Sequence, residues 1–420
     1  MTTIDWRTRF AGDTVTIGPE WLFDDLPAQL RDTGALGARG AEVLGLSLLG
    51  FDIDGTTAYL AVVDGQLVVR EGDAGDGPLA AMNAAAFSEL VQDVTSTFGL
   101  TMAGRVQMRR GTTDELVAWE PVLRAALDER PVYEPGSIEF RARDDGTLNA
   151  RQSFRVDDPR EEVGHFLAEA GYLHLAGVFT ESEMAAVSAD LDDAMAEATR
   201  EDGASWWART DDGWYPSRIL GFNQKSPTLR ELLSSDRFRA IGHLTDDKMV
   251  QRPPDQGDSA EGLHKKVGVV EGASDVSWHK DCSMGGHSRG CCGLTVGISV
   301  TGADEGSGEL GVIAGSHRAN LQLVGVRADL DLPRIPLPTR TGDVTVHCSC
   351  TFHMSRPPTQ RERRVVYSGF GQAPRAGDVE EKLDAAEIRR RRAALNDQVL
   401  TLQQRDDFGR EHDTFALPSN

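Results

Sequence analysis

From Val269 to Phe370 the chain runs as apolar stretches of four to eight residues, broken by Gly, Asp and Pro. Runs of that length and punctuation are short for helices and fit strands that turn back on one another. A long succession of them is expected to close as two facing sheets, a jelly roll or double-stranded β-helix with flanking helices. Strands send alternate side chains to opposite faces, so a polar residue inside such a pattern has a defined direction.

His279 and Asp281 lie two apart at the end of one run, in Ser277-Trp278-His279-Lys280-Asp281, and on a strand both point the same way. Downstream, GDVTVHCSCTFHMS from Gly342 to Ser355 adds two histidines, and Arg363 and Arg364 follow. Two imidazoles and one carboxylate on one face of a ferrous ion leave positions open for a chelating co-substrate and for oxygen. A zinc hydrolase can use the same three ligands. Either His347 or His353 can be the second imidazole. On one extended strand their six-residue separation spans about 20 Å, so both cannot ligate one ion unless the chain turns between them. Arg363 and Arg364 are adjacent, so on a strand only one faces inward, where a planar guanidinium can grip the far carboxylate of 2-oxoglutarate in a bidentate pair.

Between these halves stands VGISVTGADEGSGELGVIAGSHR, from Val296 to Arg318. With it the chain resembles the phytanoyl-CoA dioxygenase family of iron- and 2-oxoglutarate-dependent oxygenases over roughly residues 160 to 375. The family's order of His-x-Asp, apolar strand, Gly-Ser-His turn, Gly-Asp, distal His and Arg is matched part by part. The resemblance implies Fe(II) held by His279, Asp281 and His353, with His347 as a neighbouring polar residue and His317 stabilising its turn. It implies 2-oxoglutarate held by Arg363 and Ser355, with O2 as the other co-substrate. The apolar residues that end at Phe370 register Arg363, not Arg364, with the family's arginine. It also implies hydroxylation or a related C–H oxidation, with release of succinate and CO2, since Asp281 stands where related halogenases lack the carboxylate.

Trp206, Trp207, Trp214 and Tyr215 concentrate aromatic surface within ten residues. They read either as a structural loop or as a lid that excludes water from a small organic substrate. Arg218 and Asn223, just beyond, are candidates to orient that substrate.

A chain of 420 residues exceeds the usual single core, so two domains are expected, 1–140 and 141–420. In FDIDGTTAYLAVVDGQLVVR, residues 51–70, two apolar runs joined by Asp64-Gly65 predict a tight hairpin. A helical segment is expected from Pro78 to Phe98, a strand near Gly104 to Met108, and a helix through Trp119, Leu123 and Leu127. This α+β order, with GRVQMRRG and WEPVLRAALDERPVY, resembles a sterol-carrier-protein-type domain over about residues 35 to 135. That resemblance implies an apolar tunnel and a lipid or acyl carrier as partner. Asp52-Ile53-Asp54-Gly55-Thr56-Thr57 imitates a phosphatase nucleophile motif, but it runs straight into the hairpin where a doubly wound domain would need a helix.

Residues 134–160, rich in charge, Gly and Pro, read as a linker or added hairpin. Helix, strand and helix follow from Glu161, the second helix opened by a capping box of Thr180 and Glu183. SPTLRELLSSDRFRAIGHL predicts a further helix, and Glu380 to Gln404 a C-terminal one with Ile388, Leu395, Val399 and Leu402 on one face. All five cysteines fall in the second domain, an odd number without Cys-x-x-Cys, and read as ordinary thiols. The net charge of −22 argues against general affinity for nucleic acid or anionic membranes. No run is long enough to span a membrane, and MTTIDWRTRF has no signal-peptide pattern, so a cytoplasmic location is expected. The alternative to an oxygenase is a catalytically inactive lipid- or acyl-binding carrier.

Overall fold

The computed structural model describes residues 14–373, apart from 246–248, 252, 256, 273–275, 283–292 and 324–325. The expected C-terminal helix and the thiols of Cys291 and Cys292 lie outside the described residues. The chain divides into two compact units, Met1–Glu139 with His279–Cys291 and Ser316–Asp331, and Phe140–Trp278 with Cys292–Gly315 and Leu332–Asn420.

In the first unit a short helix, Trp21–Asp24, precedes a long one, Leu26–Leu44, that ends on Gly45 in the left-handed conformation, φ 66°. Five strands follow: β1 (Leu48–Ile53), β2 (Thr56–Val63), β3 (Gln66–Glu71), β4 (Leu79–Met82) and β5 (Gln107–Arg110). They form a sheet in the order β3-β2-β1-β4-β5, with β1 antiparallel to β2 and parallel to β4. Asp64 and Gly65 take positive φ, 51° and 74°, and join β2 to β3 as the two-residue turn expected of this dipeptide. Asp54 and Gly55 make the same kind of turn between β1 and β2. Here Asp52 accepts from the Gly55 amide at 2.9 Å and Asp54 from that of Ala84 at 2.8 Å, so the phosphatase-like motif serves as turn chemistry.

The expected helix from Pro78 is a strand first. Leu79–Met82 pairs with β1, and helices begin only at Ala84 (Ala84–Val91) and Thr97 (Thr97–Met102). Four apolar residues cannot reveal their period, and burial between two neighbouring strands decides for extension. The unit closes with helices Thr113–Ala118 and Glu120–Asp128. Phe51, Leu60, Phe87, Trp119 and Leu123 meet in its core. Arg124 is fully buried among Asp128, Glu120 and Asp93 at 3.0, 3.3 and 3.7 Å. Burial raises the Glu120 carboxyl above its ordinary range against the pull of Arg124.

In the second unit, helix Arg160–Ala170, a strand and helix Glu181–Glu197 follow as expected, and both halves of the Thr180–Glu183 capping box are present. The helix expected over residues 226–244 breaks at Ser234 and Ser235 into Pro227–Leu233 and Asp236–Gly242. The strands are β6 (Phe154–Arg155), β7 (Tyr172–Ala176), β8 (Ser205–Thr210), β9 (Gly213–Ile219), β10 (Ala260–Lys265), β11 (Val276–His279), β12 (Gly293–Ser299), β13 (Leu310–Ile313), β14 (Arg334–Leu337), β15 (Val344–Cys348), β16 (His353–Ser355) and β17 (Arg363–Gly371). They make an eight-stranded sheet, β6-β7-β15-β12-β17-β10-β9-β8, and a four-stranded sheet, β11-β16-β13-β14. The aromatic stretch read as a structural loop or a lid is the hairpin of β8 and β9 at the edge of the larger sheet. No helix among the described residues is long and apolar enough to cross a membrane.

Candidate metal centre

His279 is the last residue of β11 and His353 the first of β16, and both strands belong to the four-stranded sheet. Ligand atoms of His279, Asp281 and His353 all lie within 4.8 Å of one another, a group able to hold a metal ion. His279 Nε2 stands 3.4 Å from Asp281 Oδ1. His353 is buried, and its Nδ1 faces the Thr351 carbonyl at 3.0 Å. A carbonyl only accepts, so Nδ1 carries the hydrogen and Nε2 keeps a lone pair for a ligand.

His347 does not join the group. The chain reverses between the two histidines, with Thr351 N donating to Cys348 O at 2.8 Å. The His347 ring packs on that of His353, centroids 4.1 Å apart. Cys282, Cys348 and Cys350 are buried. Asp343 of the Gly-Asp pair is a clamp: it accepts from the amides of Arg340 and Gly177 at 2.7 and 2.8 Å and meets His174 Nε2 at 3.0 Å. Burial pushes its carboxyl up, but these hydrogen bonds outweigh burial and hold it below the usual range.

Arg363 and Arg364 diverge as strand parity requires. Arg364 turns to helix Glu181–Glu197, donating to Ser188 Oγ at 2.8 Å and pairing with Asp192 at 2.7 Å. Arg363 is 3 % exposed and donates through Nη2 to Ser355 Oγ at 3.0 Å. Opposite it on β10 stands Lys265, also buried, whose ammonium donates to the same hydroxyl at 2.7 Å and to Arg356 O at 3.2 Å. Ser355 is two residues past His353 on β16, hence on the same side of that strand. Its oxygen accepts from both cations, which leaves its own hydrogen to donate. Arg363 Nε is buried and meets no hydrogen-bond acceptor among the described residues. Sequence reading passed over Lys265, because a lysine in LHKKVG carries no sign of direction until its register against Arg363 is known.

On the hairpin, the Arg218 guanidinium lies 4.5 Å above the Trp206 ring and 3.5 Å from Glu261. Arg218 pairs with Leu263, two residues before Lys265 on β10, and so shares the sheet face of Lys265. Trp207 is half-buried and donates to Ser205 Oγ at 3.0 Å. Asn223 is not placed for substrate. It is fully buried, its amide nitrogen donates to Pro254 O and Gly257 O, both at 2.9 Å, and its oxygen accepts from the amides of Ser259 and Ala260, both at 3.0 Å. All four of its hydrogen-bonding positions serve a loop.

No curated protein matches the chain. Among solved structures it is similar to AviO1 from Streptomyces viridochromogenes Tue57, at 20 % identity over 52 % of this chain and 98 % of that one, TM-score 0.40. It is similar to the epimerase SnoN in complex with Fe3+, α-ketoglutarate and nogalamycin RO, at 17 % identity over 54 % and 93 %, TM-score 0.40. It is also similar to EctD from S. alaskensis with 2-oxoglutarate and 5-hydroxyectoine, at 15 % identity over 62 % and 96 %, TM-score 0.42. The sequence model of the family described as phytanoyl-CoA dioxygenase (PhyH) matches residues 167–365, a span that includes His279, Asp281, His353, Ser355 and Arg363. Over those residues the chain carries a domain of the phytanoyl-CoA dioxygenase family.

Proposed function

We propose that this chain is a non-haem Fe(II)- and 2-oxoglutarate-dependent oxygenase that hydroxylates a small organic substrate, or otherwise oxidises one of its C–H bonds, within a jelly-roll domain. One observation carries the reading: beside the His279, Asp281 and His353 group, two buried cations, Arg363 and Lys265, converge on the Ser355 hydroxyl. Arg363 is 3 % exposed with its Nε facing no acceptor among the described residues, and a positive charge so buried is costly unless an anion meets it. A dicarboxylate chelating the metal through its 2-oxo acid end offers its far carboxylate to such a cradle. A zinc hydrolase has no need of one, and neither does an inactive carrier.

The residues fit the group they would hold. His279, Asp281 and His353 would offer an ion two imidazoles and one carboxylate, a donor set that suits ferrous iron. Iron so held lets oxygen be reduced at the expense of 2-oxoglutarate, which leaves as succinate and CO2. The protein contributes position. Thr351 fixes the His353 tautomer, the cradle sets the co-substrate's orientation, and Trp206 with Arg218 supplies an aromatic and cationic surface on the same sheet face for the substrate. The deciding experiment measures succinate released from 2-oxoglutarate by the full chain with ferrous iron and a library of candidate substrates. No iron-dependent succinate with any substrate, and none uncoupled, refutes the reading.

For the N-terminal domain we propose a sterol-carrier-like role, holding an apolar or acyl substrate near the oxygenase domain and raising its local concentration. Its support is a cavity of about 20 Å³ lined only by apolar residues, Leu26, Phe51, Leu60, Phe87 and Leu123 among them. An acyl chain enters only if these side chains part. Titrating the full chain with fluorescent acyl probes tests this, and absence of saturable binding leaves the domain a scaffold.

A further inference from the structure

Lys280 stands between two of the candidate ligands and points away from them. His279 and Asp281 share one side of the chain, so Lys280 takes the other, where it is 2 % exposed. Lysine is almost never buried so far without hydrogen bonds to its ammonium. Here the ammonium donates to the carbonyl of Ser316 at 3.2 Å. Ser316 is itself fully buried and opens the segment Ser316–Asp331, which belongs to the same compact unit as Lys280 and the N-terminal residues.

The remainder of that segment is fastened to residues 121–139. Asn320, 6 % exposed, donates from its side chain to Pro121 O at 2.8 Å and Arg130 O at 2.9 Å, and its carbonyl accepts from Tyr133 N at 3.0 Å. Arg318 donates to Glu139 O at 2.9 Å, Asp331 accepts from Gly136 N at 2.8 Å and from the Tyr133 hydroxyl, and Arg327 donates to Tyr133 O at 3.2 Å. These bonds run largely to backbone, whose positions are set by the helix Glu120–Asp128 and the chain leaving it.

We propose that Lys280 is a positioning residue for the metal centre and that Ser316–Asp331, clamped on residues 121–139, is the frame to which it is tied. The inference rests on the metal-site reading above. Lys280 acts by fixing the backbone between His279 and Asp281, so that the imidazole and the carboxylate are held in place before metal arrives. The N-terminal unit thereby serves the metal centre as a scaffold, whatever else it binds.

The test uses the full-length protein, stripped of metal and titrated with Co(II), whose visible spectrum reports affinity and coordination geometry without turnover. Lys280→Met keeps the stem and loses the donor, and should weaken Co(II) binding about ten-fold or more, in the range seen when residues supporting metal ligands are removed, with an altered spectrum. Lys280→Arg should recover most of the affinity, and Asn320→Ala, which loosens the frame, should weaken binding in the same direction. Circular dichroism establishes that each variant is folded. Wild-type affinity and spectrum in folded Lys280→Met overturn the proposal. If Lys280→Met does not fold, wild-type Co(II) affinity in Asn320→Ala overturns it instead. Wild-type protein that binds no Co(II) fails at the metal-site reading, a distinct result that removes the ground for this inference as well.

Discussion

Each proposed ligand residue makes its own claim on activity. Replacing His279, Asp281 or His353 by Ala should abolish iron-dependent succinate release, and near-normal turnover in any one variant would exclude that residue as a ligand. Asp281→Gly is expected to retain iron while losing hydroxylation, because it opens a position without disturbing the two imidazoles. Arg363→Leu should remove the proposed charge-assisted pair with 2-oxoglutarate, about 1.5–3 kcal/mol, so apparent 2-oxoglutarate affinity should fall roughly ten-fold or more. Arg364→Leu should leave that affinity unchanged and instead loosen helix Glu181–Glu197, where its partners Ser188 and Asp192 sit. Lys265→Met should raise the apparent KM for 2-oxoglutarate in the same direction as Arg363→Leu, which a succinate assay over a range of co-substrate concentrations reads directly. The divergence of Arg363 and Arg364 was legible in the sequence because strand parity alone separates neighbours. Lys265 was not, since its meaning comes from pairing with a strand about one hundred residues later. Asn223 misled for the opposite reason: nearness to an aromatic cluster in sequence says nothing about backbone carbonyls that claim its amide.

Elements are set by turn chemistry that the sequence states openly, and by register that it does not. Asp64-Gly65 and the Thr180–Glu183 box are local devices, complete within four residues, and the structure contains both. Leu79–Met82 reads as helix in the sequence because its parallel pairing with β1 lies outside any local window. Gly342-Asp343 is local in appearance and long-range in effect. Gly342 has φ +86°, and a Cβ there would stand 2.0 Å from the Phe179 carbonyl oxygen, so Gly342→Ala should destabilise the domain severely. Asp343 allows a pH prediction. Its folded carboxyl titrates below the ordinary aspartate range, so the unfolded chain takes up the proton more readily. The resulting stability is present above the unfolded pKa and is lost as pH falls through the folded one. Denaturant unfolding followed from neutral pH into the acid range should show that loss in the wild type and a shallower one in Asp343→Asn. Equal slopes would mean that other carboxylates govern the acid limb.

For the whole molecule, the sequence held no sign that Ser316–Asp331 belongs to the unit of the N-terminal residues. Asn320 meets carbonyls of Pro121 and Arg130 and the amide of Tyr133, and backbone groups look alike in every sequence. A fragment of residues 1–140 should therefore be less stable than the same unit in the full chain. Cut from the segment, those groups are exposed to water and rehydrate, so what is lost is the net worth of each hydrogen bond, about 0.5–1.5 kcal/mol, and not the penalty of burying it bare. For the three bonds to Asn320 the sum is roughly 1.5–4.5 kcal/mol, a large share of the 5–15 kcal/mol that holds a typical domain together. Urea unfolding of the fragment, read through Trp119 and the other tryptophans, should give a lower midpoint than Trp-detected unfolding of the unit in the full chain. A synthetic peptide of residues 316–331 added to the fragment should raise that midpoint in proportion to its occupancy. A fragment as stable as the intact unit and indifferent to the peptide would show that the segment rests on this unit without supporting it.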